Sequence, residues 1–579
     1  MFLTIGVTGH RDLLESERPA LESRARAFFS DMAGRYPGLK LQLLCPMAEG
    51  GDQLVARVAM ELGIELIAVL PMRQDEYERD FESASALAEF RSLASRAGQI
   101  ICLPDAPGLE GATITGDAAR RDRQYAQAGL FVSNHCQILL ALWDGKPLHT
   151  VGGTAQVVRY HLTAVMDGFE DQPSSAHLLA DNENDLAFHI VCSRNRSDSA
   201  PASGLAPADC YWLTAQAGRK PADAMPTEYV VMFSRLQDFA ADRQRHATDG
   251  HAAHRNTADR TGESDLLNDF PPGLTPPESA VFNAQLFSIA DRLAVHFQKR
   301  FNRSLFVIHA LAVMMGLVFL VYSGYSTPQY VLWIFLALFF AGVVLHTTGN
   351  RRQWHRKYLD YRALAEALRV QLYWNLAGVV EARSVAFAYE NFLQKQDVEL
   401  GWIRHIMRAA STRRAGGMEP DPAWLPWVID HWVGTKDSGK GQLAYYSAKE
   451  VHNSVNYRRT EFLGAACLWA GIAVALVLAM DSGHISAKQQ QVLLILMGIL
   501  PLIAGIRNAI SHKKAEKELI KQYRFMARIF SNARRLLDAP ATTAFQRRVL
   551  KALGEAQLEE GAEWILMHRS RPLEQRGLS

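Results

Sequence analysis

SLFVIHALAVMMGLVFLVYS, residues Ser304–Ser323, is a stretch without one formally charged side chain. As a helix, about twenty such residues cross roughly 30 Å of hydrocarbon. A helix of this length in a soluble protein normally has a polar face, and this stretch has none. It therefore predicts a helix that spans a membrane.

Three further stretches have the same character, namely Tyr330–Thr348, Phe462–Met480 and Gln491–Ile506. The last is the weakest, because it is short and contains Pro501. The alternative for all four is a set of buried helices in a large soluble core. We predict an all-α membrane region with four transmembrane helices in two hairpins, 304–323 with 330–348 and 462–480 with 491–506.

Basic residues flank the outer ends of both predicted hairpins, whereas the loops inside the hairpins carry almost no charge. They are Lys299, Arg300, Arg303, Arg351, Arg352, Arg356 and Lys357 in the first and Arg458, Arg459, Arg507, Lys513, Lys514 and Lys517 in the second. Lys and Arg accumulate on the cytoplasmic side of membrane proteins. Met1–Val7 is apolar but too short for a signal peptide. We expect both termini and all long segments in the cytoplasm.

Similar motifs flank the two hairpins. They are Phe301-Asn-Arg303 and Tyr457-Arg-Arg459 before the hairpins, and Tyr361-Arg362-Ala-Leu-Ala365 and Tyr523-Arg524-Phe-Met-Ala527 after them. The offset is about 160 residues in each comparison, which indicates an internal duplication. We predict two helical units, 278–440 and 441–579, each with a polar helix, a hairpin and a long amphipathic cytoplasmic helix.

The overall composition excludes several classes of protein. The 579 residues include 62 Lys and Arg against 60 Asp and Glu, with 48% hydrophobic and 21% charged residues. This balance is not typical of a disordered chain or a strongly basic nucleic-acid-binding protein, so we expect no nucleic-acid partner. Six scattered cysteines without zinc-ligand spacing predict no metal site and a reducing compartment.

Short apolar runs alternate with amphipathic helical runs in residues 1–199. The predicted strands are Phe2–Val7, Leu39–Cys45, Ile64–Leu70, Gln99–Leu103, Gln137–Leu142 and Phe188–Cys192. The predicted helices are Glu17–Arg35, Asp52–Leu62, Ser83–Ala97, Arg120–Asn134 and Thr154–Leu162. This alternation predicts an α/β Rossmann-like, doubly wound domain with a mostly parallel sheet, in which ligands bind beyond the carboxyl ends of the strands.

Glycine-rich and charged loops follow these strands. The candidate ligand-binding residues are Gly9, His10 and Arg11 after the first strand, Glu49, Gly50, Gly51 and Asp52 after the second, Pro71 after the third, Asp144 and Gly145 after the fifth, and Gly152, Gly153 and Thr154 before a helix. Glycines let backbone N–H groups approach an anion, and a helix N-terminus attracts it. The alternative for Gly152-Gly153-Thr154 is a helix cap with a tight turn.

Single side chains allow two interpretations each. Arg11 could clamp a phosphate, with His10 on the ligand or supporting the loop. Asp52 is preferred as the N-cap of the following helix. Tyr125 could stack on a base or pack in the core. Two remaining groups are Arg120, Arg121 and Arg123, which face ligand or solvent, and His246, His251 and His254, whose spacing fits no metal site.

The N-terminal motifs resemble those of the SLOG superfamily. They are Val7-Thr-Gly9-His10-Arg11-Asp12, Met47-Ala-Glu-Gly-Gly-Asp52-Gln-Leu-Val-Ala56, Leu70-Pro71 followed by Tyr77 and Asp80-Phe81, and Gly152-Gly153-Thr154. This resemblance implies a Rossmann-like fold that binds a nucleotide or a nucleotide-derived ligand. The hairpins are similar to the SLATT class of two-transmembrane effectors. Together they imply a bacterial inner-membrane sensor and effector of anti-phage defence, which perforates or depolarises the membrane.

The resemblance also bears on catalysis. SLOG phosphoribohydrolases have a P-G-G-x-G-T-x-x-E motif, and Val157 stands here in place of its glutamate. This favours a non-catalytic sensor, with a membrane-anchored nucleotide-processing hydrolase as the alternative, for which Glu49, Asp52 and Asp144 remain as carboxylates. A transporter component is disfavoured because the spans lack polar residues. We expect a homo-oligomer in the lipid bilayer and no cofactor other than the nucleotide.

The remaining segments are predicted to connect these parts. Residues 200–277 are expected to form a linker or an extension that ends in the proline-rich stretch Asp269–Pro277. Trp402, Trp424, Trp427 and Trp432 could pack in a cytoplasmic helical core or at the membrane interface, and the charges among them favour the core. Arg524, Arg528, Arg534 and Arg535 could lie near anionic lipid or on a solvated helix face.

Overall fold

The computed structural model describes residues 1–106, 109, 117–147, 151–166, 185–216, 218–253, 270–324, 329–379, 400–412, 420–436, 439–480 and 485–569. The chain forms two compact units. The first unit contains Met1–Thr261, Thr275–Ala284 and Gly378–Asp421, and the second contains Gly262–Leu274, Gln285–Ala377 and Pro422–Ser579.

The first unit is built on one eight-stranded sheet. Its strands are β1 (Phe2–Gly9), β2 (Lys40–Cys45), β3 (Glu65–Leu70), β4 (Gln99–Cys102), β5 (Ile138–Trp143), β6 (Ala187–Val191), β7 (Cys210–Thr214) and β8 (Gly218–Pro221). Their order in the sheet is β4-β3-β2-β1-β5-β6-β7-β8. The pairs from β4 to β6 are parallel, whereas β7 and β8 are antiparallel additions.

Eight helices are assigned to this unit in the described part of the chain. They are α1 (Arg18–Arg35), α2 (Gly51–Glu61), α3 (Gln74–Tyr77), α4 (Ala84–Arg96), α5 (Ala118–His135), α6 (Thr154–Thr163), α7 (Thr227–Ala253) and α11 (Gly401–Thr412). The predicted strands and helices of residues 1–199 are confirmed in kind, with ends that differ by a few residues. The central strands are buried nearly throughout because helices flank the sheet.

The order of the strands reverses between β1 and β5. The chain leaves β1 towards β2, β3 and β4, and then returns to the opposite side of β1 to form β5. The register pairs Gly9 with Leu142 at the ends of these two strands. Loops diverge where the strand order reverses, which leaves room for side chains at that edge.

Part of the predicted linker or extension, residues 200–277, extends the first unit. β7 and β8 continue the sheet, and Trp212 and Leu213 of β7 are buried in its core. α7 continues the same unit. The predicted helical unit 278–440 differs from the structure in extent, because Gly378–Asp421 belongs to the first unit. His251 lies in α7, whereas His254 lies outside the described residues.

The second unit is helical. Its helices are α8 (Glu278–Gly324, with its first turns in the first unit), α9 (Tyr330–Arg351), α10 (Trp354–Ala377), α12 (Trp424–Val428), α13 (Gly441–Met480), α14 (Ala487–Lys513), α15 (Glu516–Asp538) and α16 (Thr543–Arg569). Within the described residues, four helices are long and apolar enough to cross a membrane, and they include all four predicted stretches. The protein therefore has a membrane-type helical region.

Close contacts join the apolar helices. A Cβ on Gly471 of α13 would lie 3.0 Å from Pro501 Cδ of α14, so the glycine lets these two helices approach. The rings of Phe319 in α8 and Phe335 in α9 are 6.4 Å apart. Away from the apolar stretches, Trp424 and Trp432 are buried among α10, α12 and α16, which confirms the predicted helical core for these two residues.

Candidate functional site

Two glycine-rich loops cross at the carboxyl ends of β1 and β2. Gly50 has a φ of +90°, and a Cβ there would overlap the carbonyl oxygens of His10 and Arg11. A Cβ on Gly9 would lie 2.8 Å from Gly51 Cα, and the Gly51 N–H donates to His10 O at 3.0 Å. Only glycine permits this backbone approach, so the loops after β1 and β2 are fixed against each other.

His10 and Asp144 bring the ends of β1 and β5 together. His10 Nε2 lies 3.2 Å from Asp144 Oδ1, and both side chains are buried. The Lys146 N–H also donates to Asp144 Oδ1, at 3.1 Å. Burial opposes ionisation of Asp144, but the His10 contact and the Lys146 N–H outweigh it and lower its pKa. The pair therefore braces the two loops around a stable carboxylate.

Asp52 is a buried carboxyl group in the first turn of α2. The sequence had indicated that Asp52 caps this helix. That prediction was wrong, because Gly50 is the N-cap residue. Asp52 Oδ2 accepts a hydrogen bond from the Ala48 N–H at 3.4 Å instead. Burial raises the pKa of Asp52 to about 7, against the opposing effects of the Ala48 N–H and Arg11. This group is thus poised to change its protonation state near neutral pH.

Arg11 and Tyr125 form a stacked pair next to this carboxyl group. The Arg11 guanidinium lies 4.7 Å from the centre of the Tyr125 ring, and Arg11 itself is exposed. The Tyr125 hydroxyl contacts Asp80 Oδ2, and burial raises its pKa. The Tyr125 ring thus supports the Arg11 side chain on one face, and Asp80 is close enough to interact with its charge. A planar guanidinium suits a phosphate.

The turn before α6 packs directly behind Tyr125. Gly152 has a φ of +75°, and a Cβ there would lie 2.8 Å from both Ala126 N and Asp122 O of α5. Gly153 is the N-cap residue of α6 and has no side chain to satisfy the first N–H groups, and Thr154 begins the helix. The N-terminus of α6 therefore lies beside the ring that supports Arg11, and its dipole favours an anion there.

Three of the predicted residues serve the scaffold instead. Glu49 accepts a hydrogen bond from Ser83 Oγ at 3.0 Å and ties down the turn before α4. Pro71 is buried after β3. Gly145, with a φ of +78°, faces Leu205 Cδ1, which would lie 2.5 Å from a Cβ, so the segment after β6 covers it. His149 and Thr150 lie outside the described residues.

The predicted basic cluster in α5 is divided among separate partners. Arg120 pairs with Asp117 at 2.9 Å. Arg121 Nε donates to Asp80 Oδ2 at 3.2 Å, and its Nη2 donates to Glu76 O at 3.1 Å. Asp80 thus holds both Arg121 and Tyr125, a role that sequence reasoning missed. No local signal could have found it, because its partners are about forty residues away and meet it only through the fold.

Val157 lies in the core rather than at the carboxyl ends of the strands. It is 3% exposed, and a Cβ on Gly129 of α5 would lie 2.5 Å from Val157 Cγ2. A glutamate could not replace Val157 here without burying a charge. Carboxyl groups at the ends of the strands include those of Asp52 and Asp144, together with Asp80, which contacts Tyr125.

Comparisons with known proteins do not identify the chain. No protein-family model matches the sequence, and no curated protein matches it. Among the described residues, no group of three or more His, Cys, Asp or Glu side chains could hold a metal ion.

Proposed function

We propose that this protein is a membrane effector whose N-terminal α/β domain binds a nucleotide-derived ligand and thereby switches the membrane region. The observation that carries this proposal is the Arg11–Tyr125 pair beside the uncapped N-terminus of α6. A phosphate fits both the guanidinium and the helix N-terminus. We also propose that this domain is Rossmann-like and of the SLOG type.

The membrane part of the proposal rests on apolar surface. Phe306 in α8 and Trp333 in α9 are 72% and 71% exposed in the chain by itself. Such surface needs lipid or a partner to cover it. We propose two hairpins of the SLATT type in a bacterial inner membrane, with both termini in the cytoplasm. Several copies would assemble, and opening or disruption of the bilayer would act in anti-phage defence.

Ligand binding can control this assembly only through a difference in affinity between its states. The ligand would favour the active state by the free energy of the contacts it makes there alone. Arg11 and the turn at Gly152 are the groups that could make such contacts, because they lie on loops rather than inside strands.

The proposal is tested with the full-length protein in nanodiscs, titrated calorimetrically with mono-, di- and cyclic nucleotides and ADP-ribose derivatives. Arg11→Ala removes one charge-assisted contact, which is worth about 1.5–3 kcal/mol, so affinity should fall about tenfold to hundredfold. The matched control Arg24→Ala removes an exposed arginine of α1 and should bind normally. Equal affinity of both variants would refute the proposed site.

Gly153→Asp is a second test that keeps the fold. Aspartate is a favoured N-cap residue, so the variant should be at least as stable as the wild type. Its carboxylate would occupy the N-terminus of α6 and repel a phosphate. Loss of binding with unchanged thermal stability supports the proposal, as does ligand-dependent leakage of vesicles that contain the wild type and not Arg11→Ala.

A membrane-anchored nucleotide hydrolase is the second candidate. Asp52 favours it, because a carboxyl group with a pKa of about 7 can act as a general acid or base. Its burial at 4% exposure argues for a structural role. Release of base or phosphate in the titration mixtures, lost in Asp52→Asn, would establish the enzyme. Binding without turnover would establish the sensor.

A further inference from the structure

Contacts between α8 and α9 set the register of these apolar helices. Phe319 contacts Phe335, and Leu311 Cδ1 would lie 4.0 Å from a Cβ on Gly342. As the residue number falls along α8 it rises along α9, so the helices run antiparallel. Residues 325–328 lie between α8 and α9. At the opposite ends of the apolar stretches of these two helices, the same register places Arg303 level with Arg351.

Four arginines gather at this end. Arg300 and Arg303 of α8, Arg351 at the end of α9 and Arg352 directly after it are all exposed, and none makes an ion pair with a described acidic residue. The Arg300 guanidinium lies 6.0 Å from the Trp354 ring. The arginine cluster, as we call these four residues, is thus a concentration of positive charge that has no counterion among the described residues.

The acidic residues that are nearest in the sequence are already paired with other arginines. No Asp or Glu occurs in the sequence between Asp291 and Asp360. Asp360 pairs with Arg356 at 3.0 Å and with Arg569 at 2.8 Å. Asp291 pairs with Arg362 at 3.2 Å. Among the described residues, no acidic side chain is therefore paired with any of the four arginines.

The surroundings of the arginine cluster select the anion. Phe306, one helical turn from Arg303 towards the apolar stretch, is 72% exposed. An anion that binds here has apolar helix surface directly beside it. A phosphodiester with acyl chains satisfies both features, because arginine forks donate two hydrogen bonds to phosphate oxygens and the chains cover Phe306.

We propose that Arg300, Arg303, Arg351 and Arg352 form a binding site for the phosphate of an anionic phospholipid headgroup. This inference rests on the proposed membrane insertion. It adds a lipid requirement to that function, since the anionic lipid would hold the ends of α8 and α9 together against their mutual repulsion.

The test uses the full-length protein in phosphatidylcholine vesicles with spin-labelled lipid. The fraction of motionally restricted phosphatidylglycerol is compared with that of phosphatidylcholine. The variants are R300Q/R303Q and R351Q/R352Q, and the matched control is R548Q/K551Q. Arg548 and Lys551 are exposed residues of α16, beside Leu550, whose carbonyl oxygen accepts a hydrogen bond from Trp374. Trp374 lies about 30 Å along α10 from Arg352, so the control removes charge far from the arginine cluster.

We expect the wild type and the control to prefer phosphatidylglycerol equally. Each double variant should lose up to about 25-fold of that preference, at roughly fivefold per arginine. Equal loss in the control would overturn the site in favour of general surface charge. Abolition of the preference by glycerol phosphate at constant ionic strength would overturn it in favour of a soluble phosphate. Flotation of the protein with vesicles, measured first, separates failure of insertion from failure of the site.

Discussion

Replacement of Gly50 by alanine tests the crossed loops at the centre of the candidate site. The residue adopts a φ of +90°, which costs a side chain about 1–3 kcal/mol. The added Cβ would also overlap the carbonyl oxygens of His10 and Arg11. These are backbone atoms that cannot rotate away, and such overpacking costs about 1–3 kcal/mol more.

Gly63 provides a matched control at the other end of α2. It has a φ of +73°, but a Cβ there would meet nothing within 4 Å. Gly63→Ala should therefore show backbone strain alone, about 1–2 kcal/mol. The difference between the two variants reports the clash together with the greater backbone strain at Gly50, whose ψ is −117°. We expect it to be about 2 kcal/mol, which corresponds to roughly 30-fold in an opening equilibrium.

The assay is alkylation of Cys136 in the full-length protein, followed by peptide mass spectrometry. Cys136 is fully buried in the first unit, so its thiol reacts only after that unit opens. When closing is fast, the rate reports the opening equilibrium. Gly50→Ala should react about 30-fold faster than Gly63→Ala. Equal rates in the two variants would refute the crossed-loop packing.

Three further changes probe the site and the second unit. Asp52 has a pKa of about 7 in the folded protein, against about 3.9 in the unfolded chain, so the stability of the wild type relative to Asp52→Asn should fall as the pH rises from about 4 to about 7, by at most about 4 kcal/mol, and stay level above pH 7. Urea midpoints from pulse proteolysis at pH 5.5 and 7.5 measure this difference, and a difference that does not depend on pH would contradict the prediction. His10→Ala removes the contact to the buried Asp144 carboxylate and should lower the free energy of unfolding by about 1–3 kcal/mol in the same assay. An unchanged free energy of unfolding would mean that the His10–Asp144 pair does not stabilise the fold. Gly554→Ala should destabilise the second unit by about 1–3 kcal/mol despite the better helix propensity of alanine, because its Cβ would overlap the Trp374 indole; an increase in melting temperature by fluorescence would contradict this.

Much of the first unit follows from its sequence pattern. Apolar runs such as Ile138–Trp143 are buried on both faces, and parallel strands covered by helices need such continuous runs. β7 and β8 lack this signature. β8, Gly218–Pro221, has mostly exposed side chains, and only its hydrogen bonds to β7 make it a strand. A short edge strand carries little local signal, so the sequence pattern did not predict that this segment continues the sheet.

The candidate site was predictable in outline and not in detail. Glycines and charges after strands marked the correct loops, because positive φ and close backbone approach require glycine, as at Gly50 and Gly152. The roles of individual side chains were less accessible. Aspartate is a common N-cap residue, but α2 begins at Gly51, so Asp52 lies inside the first turn and its carboxyl group is buried. Arg11 meets Tyr125 from more than one hundred residues away.

The sequence by itself determined which segments are apolar enough for a membrane and which alternate as strands and helices, because both properties depend on local composition and period. The tertiary structure decided that Gly378–Asp421 joins the first unit, that His10 braces Asp144, and that the arginine cluster has no acidic partner among the described residues. These are relations between distant parts of the chain. They depend on how strands and helices pack in space, which local pattern does not encode.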